Sequence, residues 1–332
     1  MSTMDIVLET NNLTKDFGGR RAVDDLSLQV RAGDVYGFLG PNGAGKSTTI
    51  RMLVGLVRPN KGTAHLFGSD VQIARRDALG RIGALVESPS FYKYLSAREN
   101  LRILSALSGG CTEKRIDEVL DLVGLLDRAR DKVRTYSHGM QQRLGIAQAL
   151  LPDPELIILD EPTTGLDPEG MKHVRELILR LAKDLGKTIF LSSHLLHEVE
   201  QVCSRVGIIN RGKLVAEREV ASMLGAQTGL VEIRVGDGMR AEELLSAVPD
   251  VRVISRDGNA LSVRVSPDKI PALNRLIVHE GIDLYTVTTK ATSLEDFYLN
   301  LVHEGSTAEI PTVSPEMDAD PSSARRIGPT SC

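Results

Sequence analysis

One stretch of the sequence decides the fold, and it reads Gly40-Pro41-Asn42-Gly43-Ala44-Gly45-Lys46-Ser47-Thr48. The stretch fits the pattern G-x-x-x-x-G-K-[ST], follows an apolar run at 35–39 and precedes a helical pattern at 48–56. Glycine lets the backbone curl so that successive N–H groups point inward at phosphate oxygens. The following helix adds the positive end of its dipole. We therefore expect the whole stretch to form a loop that binds nucleotide phosphates.

Two carboxylates complete the predicted chemistry of this loop. Asp160 and Glu161 stand at the end of an apolar run that begins at residue 156. In a phosphate loop, Lys46 would neutralise the β- and γ-phosphates of ATP, and Ser47 would place its hydroxyl on Mg²⁺. Asp160 is expected to lie near the metal ion, and Glu161 is expected to polarise the attacking water as a general base. The pattern predicts Mg²⁺-dependent hydrolysis of ATP.

Residues 5–225 alternate short apolar runs with amphipathic helical patterns, which is typical of an α/β fold. A mainly helical insertion is expected at about 87–150. Continuous apolar runs suit the buried strands of a parallel sheet. Such strands are predicted at 35–39, 156–160, 188–192 and 206–209.

The pattern changes from about residue 230, where runs of alternating apolar and polar residues favour half-exposed strands. The predicted order is β-α-β-β-α-β, which is the ferredoxin-like order. We expect a small α+β accessory domain over 230–303. Residues 305–332 are rich in Pro, Ser, Thr and acidic residues, so we expect a disordered tail. The strands are predicted at 230–235, 251–255, 260–265 and 284–287, and the helices at 241–247 and 268–280.

Composition limits the function further. A net charge of −4 does not indicate a basic surface for nucleic acid. Three widely spaced cysteines, at 111, 203 and 332, suit a reduced cytosolic protein. Residues 1–5 lack the features of a signal peptide, and no segment approaches the roughly 18 apolar residues that cross a bilayer. If the protein acts at a membrane, we expect another chain to cross it.

A second motif, at 136–143, carries a family resemblance. It reads Tyr-Ser-His-Gly-Met-Gln-Gln-Arg and opens a predicted helix shortly before Asp160. Together with the phosphate loop, it makes residues 5–220 resemble the ATP-binding subunit of an ATP-binding-cassette (ABC) transporter. The family carries its signature sequence here, on Ser137, His138, Gly139 and Met140. The resemblance implies a head-to-tail dimer in which two ATP molecules lie between the loop of one copy and the signature of the other.

Three smaller features agree with the resemblance. Phe17 stands where the family carries the aromatic residue that stacks on adenine. Asp167, after Gly165 and Leu166, matches the D-loop that links the two ATP sites, and it also suits a helix N-cap. His194 follows the predicted strand 188–192 and matches the histidine that senses the γ-phosphate.

The sequence departs from the family at Glu87, where most members have a glutamine that links Mg²⁺ to the membrane partner. A carboxylate can still coordinate Mg²⁺ or its water, but it adds charge beside the γ-phosphate. Glutamate here, followed by Pro89 and Phe91, resembles the branch that exports peptide antibiotics such as bacitracin and lantibiotics. His138 and Met140 replace the usual Gly and Gln. The C-terminal block resembles the extension of many drug- and antibiotic-exporter ATPases.

The resemblance implies an ATPase that drives export, with a role in antibiotic resistance. Its expected partners are a second copy or a paired ATPase subunit, and a separate transmembrane permease that docks a helix around 87–98. No nucleic acid partner is expected, and the expected location is cytoplasmic, peripheral on the inner face of the cell membrane. The alternative is a soluble ATPase of the same superfamily that acts on ribosomes, DNA or metal-cluster assembly. The single phosphate loop and the lack of sustained heptads argue against it.

Overall fold

The computed structural model describes residues 5–107, 109–225 and 230–289 together with Leu294. Up to residue 225, strands are interspersed with helices along the chain, as they are in α/β proteins. Their bounds are β1 (Ile6–Phe17), β2 (Arg20–Arg31), β3 (Val35–Leu39), α1 (Lys46–Leu53), β4 (Lys61–Leu66), β5 (Ser69–Asp70), α2 (Arg75–Leu79), β6 (Ile82–Leu85), α3 (Ala97–Leu107), α4 (Glu113–Leu122), α5 (His138–Leu150), β7 (Leu156–Leu159), α6 (Pro168–Lys183), β8 (Thr188–Ser193), α7 (Leu196–Val202), β9 (Arg205–Asn210), β10 (Lys213–Glu219) and α8 (Val220–Gly225).

A six-stranded sheet forms the centre, in the order β10-β9-β3-β8-β7-β6. All of its neighbours are parallel except β10, which pairs antiparallel with β9 at one edge. Every residue of β3, β7 and β8 is buried, because these strands are covered on both faces. The register places Leu39 beside Ser193 and Leu159 beside Leu191, so the carboxyl ends of the three strands lie side by side.

A second, antiparallel sheet in the order β2-β1-β4-β5 precedes and flanks the central one. Within residues 5–225 the sequence patterns predict only β3, β7, β8 and β9, so this sheet is an addition of the structure. Buried apolar residues of β1 and β2, including Leu8 and Leu26, pack with Phe38 and Phe190 of the central sheet in one core. Helices α3 to α7 contribute to the core on the other face.

The predicted helical insertion corresponds to α3, α4 and α5, with two short 3₁₀ turns before α5. Ser96 and Glu99 form the reciprocal capping box that opens α3: the Ser96 N–H donates to Glu99 Oε2 at 2.7 Å, and the Glu99 N–H donates to Ser96 Oγ at 3.2 Å. Ile116 and Leu120 of α4 are buried against this insertion's core. The fold class expected from the sequence is therefore confirmed.

The remaining described strands and helices lie between residues 230 and 289. They form an antiparallel sheet in the order β12-β13-β11-β14, with their own apolar core. The domain bounds 5–225 and 230–303 stay a prediction, and the tail at 305–332 lies outside the described residues. The bounds are β11 (Leu230–Val235), α9 (Gly238–Ser246), β12 (Arg252–Asp257), β13 (Ala260–Arg264), α10 (Ile270–His279) and β14 (Leu284–Thr289).

Across the described ranges, no helix combines the length and apolar character that a membrane span requires.

Candidate functional site

The glycine-rich loop joins β3 to α1 at the carboxyl edge of the central sheet. Two of its glycines are required by their surroundings. A Cβ on Gly40 would lie 2.3 Å from the carbonyl oxygen of Ile209, and a Cβ on Gly45 would lie 2.5 Å from that of Ala22. Gly45 also has φ +114°, in the left-handed region that glycine tolerates best. The backbone at Ile209 and at Ala22 therefore leaves room only for glycine at these two positions and restricts the path of the loop.

Lys46 is buried at the start of α1, where its ammonium group is held by the loop itself. Its Nζ atom donates to the carbonyl oxygen of Gly40 at 2.7 Å and lies 3.0 Å from Glu161 Oε1. A buried charge needs such partners, because burial without them is costly. The lysine is therefore fixed between the loop and the end of β7.

An open cleft of about 480 Å³ lies over this loop. It brings together residues from the phosphate loop, β1, β2 and the ends of β7 and β8. Among the predicted loop residues, Gly40, Pro41 and Ala44 do not line the cleft, and Ala44 is buried beneath it. The lining residues are Phe17, Arg20, Ala22, Asn42, Gly43, Gly45, Lys46, Ser47, Thr48, Glu161, Thr164 and His194.

Glu161 lines the cleft, and its carboxylate contacts Lys46, Thr164 and His194. Its Oε2 atom lies 2.7 Å from His194 Nδ1 and accepts a hydrogen bond from Thr164 Oγ1 at 2.9 Å, while Oε1 faces Lys46. Burial raises the pKa of the Glu161 carboxyl, but hydrogen bonds from Lys46, His194 and Thr164 outweigh burial and lower its pKa below the ordinary value. The carboxylate is therefore ionised at neutral pH, as a general base must be.

Asp160 lies just below Glu161 and is buried. Its Oδ1 atom accepts a hydrogen bond from Ser192 Oγ at 2.6 Å. Its Oδ2 atom has no hydrogen-bond donor among the residues that the structure describes. One carboxylate oxygen is thus fixed and the other is left to a further partner.

Mg²⁺ suits this donor set, because it prefers one or two protein oxygen ligands together with phosphate oxygens and water. Ser47 and Asp160 supply a hydroxyl and a carboxylate oxygen of the right chemistry. No group of three or more His, Cys, Asp or Glu side chains that could hold a metal ion occurs in the described ranges.

Glu87, the third predicted metal ligand, does not line the cleft. Its carboxylate pairs instead with Arg51 of α1, and 59% of its side chain is exposed. The residue has φ +65°, an uncommon conformation for a residue with a side chain. The structure therefore pairs Glu87 with the helix that follows the phosphate loop.

Phe17 lies at the outer end of the cleft and is 49% exposed. The Nζ atom of Lys15 is 5.1 Å from the centre of its ring. A half-exposed aromatic ring at the mouth of a nucleotide cleft leaves one face open for a flat base.

The motif at 136–143 lies apart from the cleft, since none of Ser137, His138, Gly139 and Met140 lines it. Ser137 caps α5, and its Oγ accepts a hydrogen bond from the Met140 N–H at 3.2 Å. The His138 ring lies against Gly165, where a Cβ would be 3.3 Å from its Nε2 atom. The motif therefore faces outward beside the loop that precedes α6.

Asp167 caps α6, as its sequence context predicts. Its Oδ1 accepts a hydrogen bond from the Gly170 N–H at 3.0 Å, and Pro168 is the first helical residue.

Sequence reasoning missed four residues in or next to the cleft, namely Arg20, Ala22, Thr164 and Ser192. Thr164 stands within the Pro-Thr-Thr-Gly run after Glu161, and that run is a usable signal. Ser192 ends an apolar run, as Asp160 does, but only strand order shows that the two ends are neighbours. Nothing in the sequence marks Arg20 or Ala22.

The fold and the cleft define a P-loop ATPase. Residues 23–164 match the family model described as ABC transporter. The chain is 44% identical to a bacitracin transport ATP-binding protein of Bacillus licheniformis, over 91% of this chain and 99% of that one. It is 43% identical to a daunorubicin/doxorubicin resistance ATP-binding protein of Streptomyces peucetius, over 89% of this chain and 92% of the other.

A solved structure agrees with these relatives. It is an ATP-binding cassette of an ABC transporter in an ADP conformation, with a TM-score of 0.60, 25% identity, and coverage of 66% of this chain and 94% of that chain. The chain belongs to the ATP-binding proteins of ABC transporters, and it is an ATPase of that family.

Proposed function

We propose that the chain binds and hydrolyses ATP to drive export through a separate membrane subunit. The observation that carries this proposal is the meeting of Lys46, Glu161 and His194 in one cleft, which joins a phosphate-binding cation to an ionised base. Export is supported by two relatives of nearly full length, whose names refer to bacitracin transport and to daunorubicin/doxorubicin resistance.

Each residue of the site would have a separate role in ATP binding or hydrolysis. The loop 40–48 would hold the phosphates by its backbone N–H groups and by Lys46, and Phe17 would stack on the adenine. Ser47 and Asp160 would hold Mg²⁺, which neutralises the charge that develops on the phosphate oxygens. Glu161 would take hydrogen bonds from the attacking water and increase its nucleophilicity. His194, fixed by its 2.7 Å contact with Glu161, would face the γ-phosphate.

The signature residues would serve a second copy of the chain. Ser137 and His138 are exposed at the N-terminal end of α5, a helix of 13 residues whose first turn holds no acidic side chain. Such an end favours an anion. Because the cleft of the same chain does not include these residues, the phosphate that they would contact belongs to ATP in the partner copy. Asp167, near the start of α6, would then lie between the two sites.

A groove beside the site suits a helix from a membrane subunit. It has a volume of about 530 Å³, and its lining includes apolar side chains of β6 and of the segments that follow α1 and β6, among them Leu56, Val86 and Pro89. Leu56 is 62% exposed. Tyr94, which follows the groove residues 88–90 along the chain, is 66% exposed. Exposed apolar surface of this kind marks interaction sites. The groove includes residues 88–90 of the segment 87–98, so a helix bound there would lie next to Glu87 in the chain.

A membrane subunit would place the chain at the inner face of the cell membrane. The competing function, a soluble ATPase that acts on ribosomes, DNA or metal clusters, is not favoured by the relatives. The transported molecule would be a peptide antibiotic, a drug or a similar compound.

The test is purification of the tagged chain from detergent-solubilised membranes of the cell that produces it. A multi-span protein should be recovered in comparable amount, and Leu56→Asp should reduce its recovery by placing a charge in the groove. Leu185→Asp, at an exposed leucine away from the groove, is the matched control. Recovery of ribosomes or DNA in place of a membrane protein would reject the transporter function.

A further inference from the structure

The hydroxyl group of Ser192 contacts both Glu161, which lines the cleft, and Asp160, which is buried next to it. Ser192 belongs to β8, next to β7 in the central sheet, and it is fully buried. We infer that Ser192 is a positioning residue for ATP hydrolysis, which sets the carboxylate of Asp160 and the backbone of Glu161 at the same time. This inference rests on the proposed roles of Asp160 and Glu161.

One hydroxyl group makes both contacts. Ser192 Oγ donates its proton to Asp160 Oδ1 at 2.6 Å and accepts the Glu161 N–H at 2.9 Å. A serine hydroxyl has one donor and two acceptor sites, so a single orientation of its proton satisfies both. The short contact is that expected of a hydroxyl bound to an ionised carboxylate.

The backbone of Glu161 needs such an anchor. Its φ is +49°, which is uncommon for a residue with a side chain and costs conformational energy. A conformation of this kind persists only where several contacts fix it. Ser192 holds the N–H of Glu161, whereas Lys46 and His194 hold its carboxylate. The Thr164 N–H donates to the carbonyl oxygen of Glu161 at 3.1 Å, so Ser192 is the side chain that anchors the amide end of this backbone.

The same hydroxyl orients Asp160. With Oδ1 held by Ser192, the rotation of the carboxylate is restricted and Oδ2 remains available for a metal ion. Loss of the hydroxyl would let the Asp160 carboxylate turn and would let the Glu161 backbone relax. Small misplacements of catalytic groups lower kcat strongly, because the reacting geometry is formed less often.

The experiment compares Ser192→Ala and Ser192→Cys with Thr188→Val. Cysteine has the shape of serine with a larger atom in place of the oxygen, and it is only a weak hydrogen-bonding group, so it fills the site without restoring both contacts. Thr188 is the matched control. It lies at the other end of β8, it is buried, and its hydroxyl also accepts a backbone N–H, that of Gly33 at 3.0 Å. The measurements are the thermal unfolding midpoint, nucleotide affinity in EDTA, the Mg²⁺ dependence of that affinity, and kcat and KM for ATP.

Both Ser192 variants should lower kcat by about tenfold or more, while KM and the affinity in EDTA stay near the wild-type values because the phosphate loop is untouched. They should also need more Mg²⁺ to reach full nucleotide affinity. Thr188→Val should keep the wild-type kcat. The inference is overturned if Ser192→Ala or Ser192→Cys retains kcat, or if all three variants lose kcat equally.

The proposed function is tested by a separate measurement. If the wild-type chain hydrolyses ATP and Glu161→Gln does not, the assignment of the site survives whatever the Ser192 variants do.

Discussion

The Nζ atom of Lys46 lies 3.0 Å from Oε1 of Glu161, so the cation of the phosphate loop and the proposed general base form an ion pair. The lysine side chain is 5% exposed and the glutamate side chain 21%, so water screens this pair only weakly. A γ-phosphate bound by the loop would compete with Glu161 for Lys46. Entry of ATP would thereby release one oxygen of the base for the attacking water.

Replacing Lys46 with Ala should weaken ATP binding by about 100-fold, because two or so charge-assisted hydrogen bonds to phosphate are lost. Isothermal titration of ATP gives the affinity directly. Lys183→Ala, at an exposed lysine in the last turn of α6, should bind ATP like the wild type. Unchanged binding by Lys46→Ala would reject the assigned phosphate site.

Replacing Glu161 with Gln should leave ATP binding intact and stop turnover, since the amide cannot act as a base. ATP would then hold two copies together, with the loop of each facing the signature of the other. Size-exclusion chromatography with ATP and Mg²⁺ should show a dimer for this variant, and the further change Ser137→Arg should abolish it. Normal turnover by Glu161→Gln would mean that another group orients the water.

The lowered pKa of Glu161 has a consequence for stability. Since the pKa is lower in the folded chain than in the unfolded one, the ionised form stabilises the fold above the unfolded value of about 4.5, and this contribution is lost as pH falls through the folded pKa. The unfolding temperature of the wild type should therefore exceed that of Glu161→Gln more at pH 7 than at pH 3.5. An equal difference at both pH values would contradict this linkage.

Replacing Glu87 with Gln separates two roles of that residue. Its ion pair with Arg51 is largely exposed, so its loss should change the free energy of unfolding by less than about 1 kcal/mol. A change in kcat above about threefold would then come from the site itself, through the metal ion or the membrane subunit. If Arg51→Gln changes kcat equally, the ion pair alone accounts for the effect. The two variants are measured side by side by urea unfolding and steady-state ATP hydrolysis.

A buried contact fixes the antiparallel edge of the central sheet. Tyr36 donates to Glu217 Oε1 at 3.0 Å, and a Cβ on Gly207 would lie 2.3 Å from the Tyr36 hydroxyl oxygen. Gly207→Ala should destabilise the protein by about 1–3 kcal/mol through overpacking. The loss should be smaller when Tyr36→Phe is present, because the crowded oxygen is gone. Urea unfolding of the two single variants and the double variant measures this coupling.

The phosphate loop, the buried strands and the helix caps could be predicted from the sequence because each is encoded by neighbouring residues. Asp167 caps α6 through a contact only three residues along the chain. The Ser192–Asp160 contact spans 32 residues and depends on which strands are neighbours, and strand order cannot be deduced from one strand at a time. Glu87 pairs with Arg51, which is distant in sequence, and it has a positive φ; no local pattern indicates either feature.

The register of β3, β8 and β7 connects folding to chemistry in this protein. Side chains alternate between the two faces of a sheet, so a slip of one residue would turn each affected side chain to the opposite face. Ser192 would then point away from Asp160, and Gly40 would no longer meet the backbone of Ile209. A misregistered molecule would be inert even with every strand formed. Specific activity therefore reports the fraction of molecules that folded in the correct register, and recovery of ATP turnover is a sensitive assay for refolding.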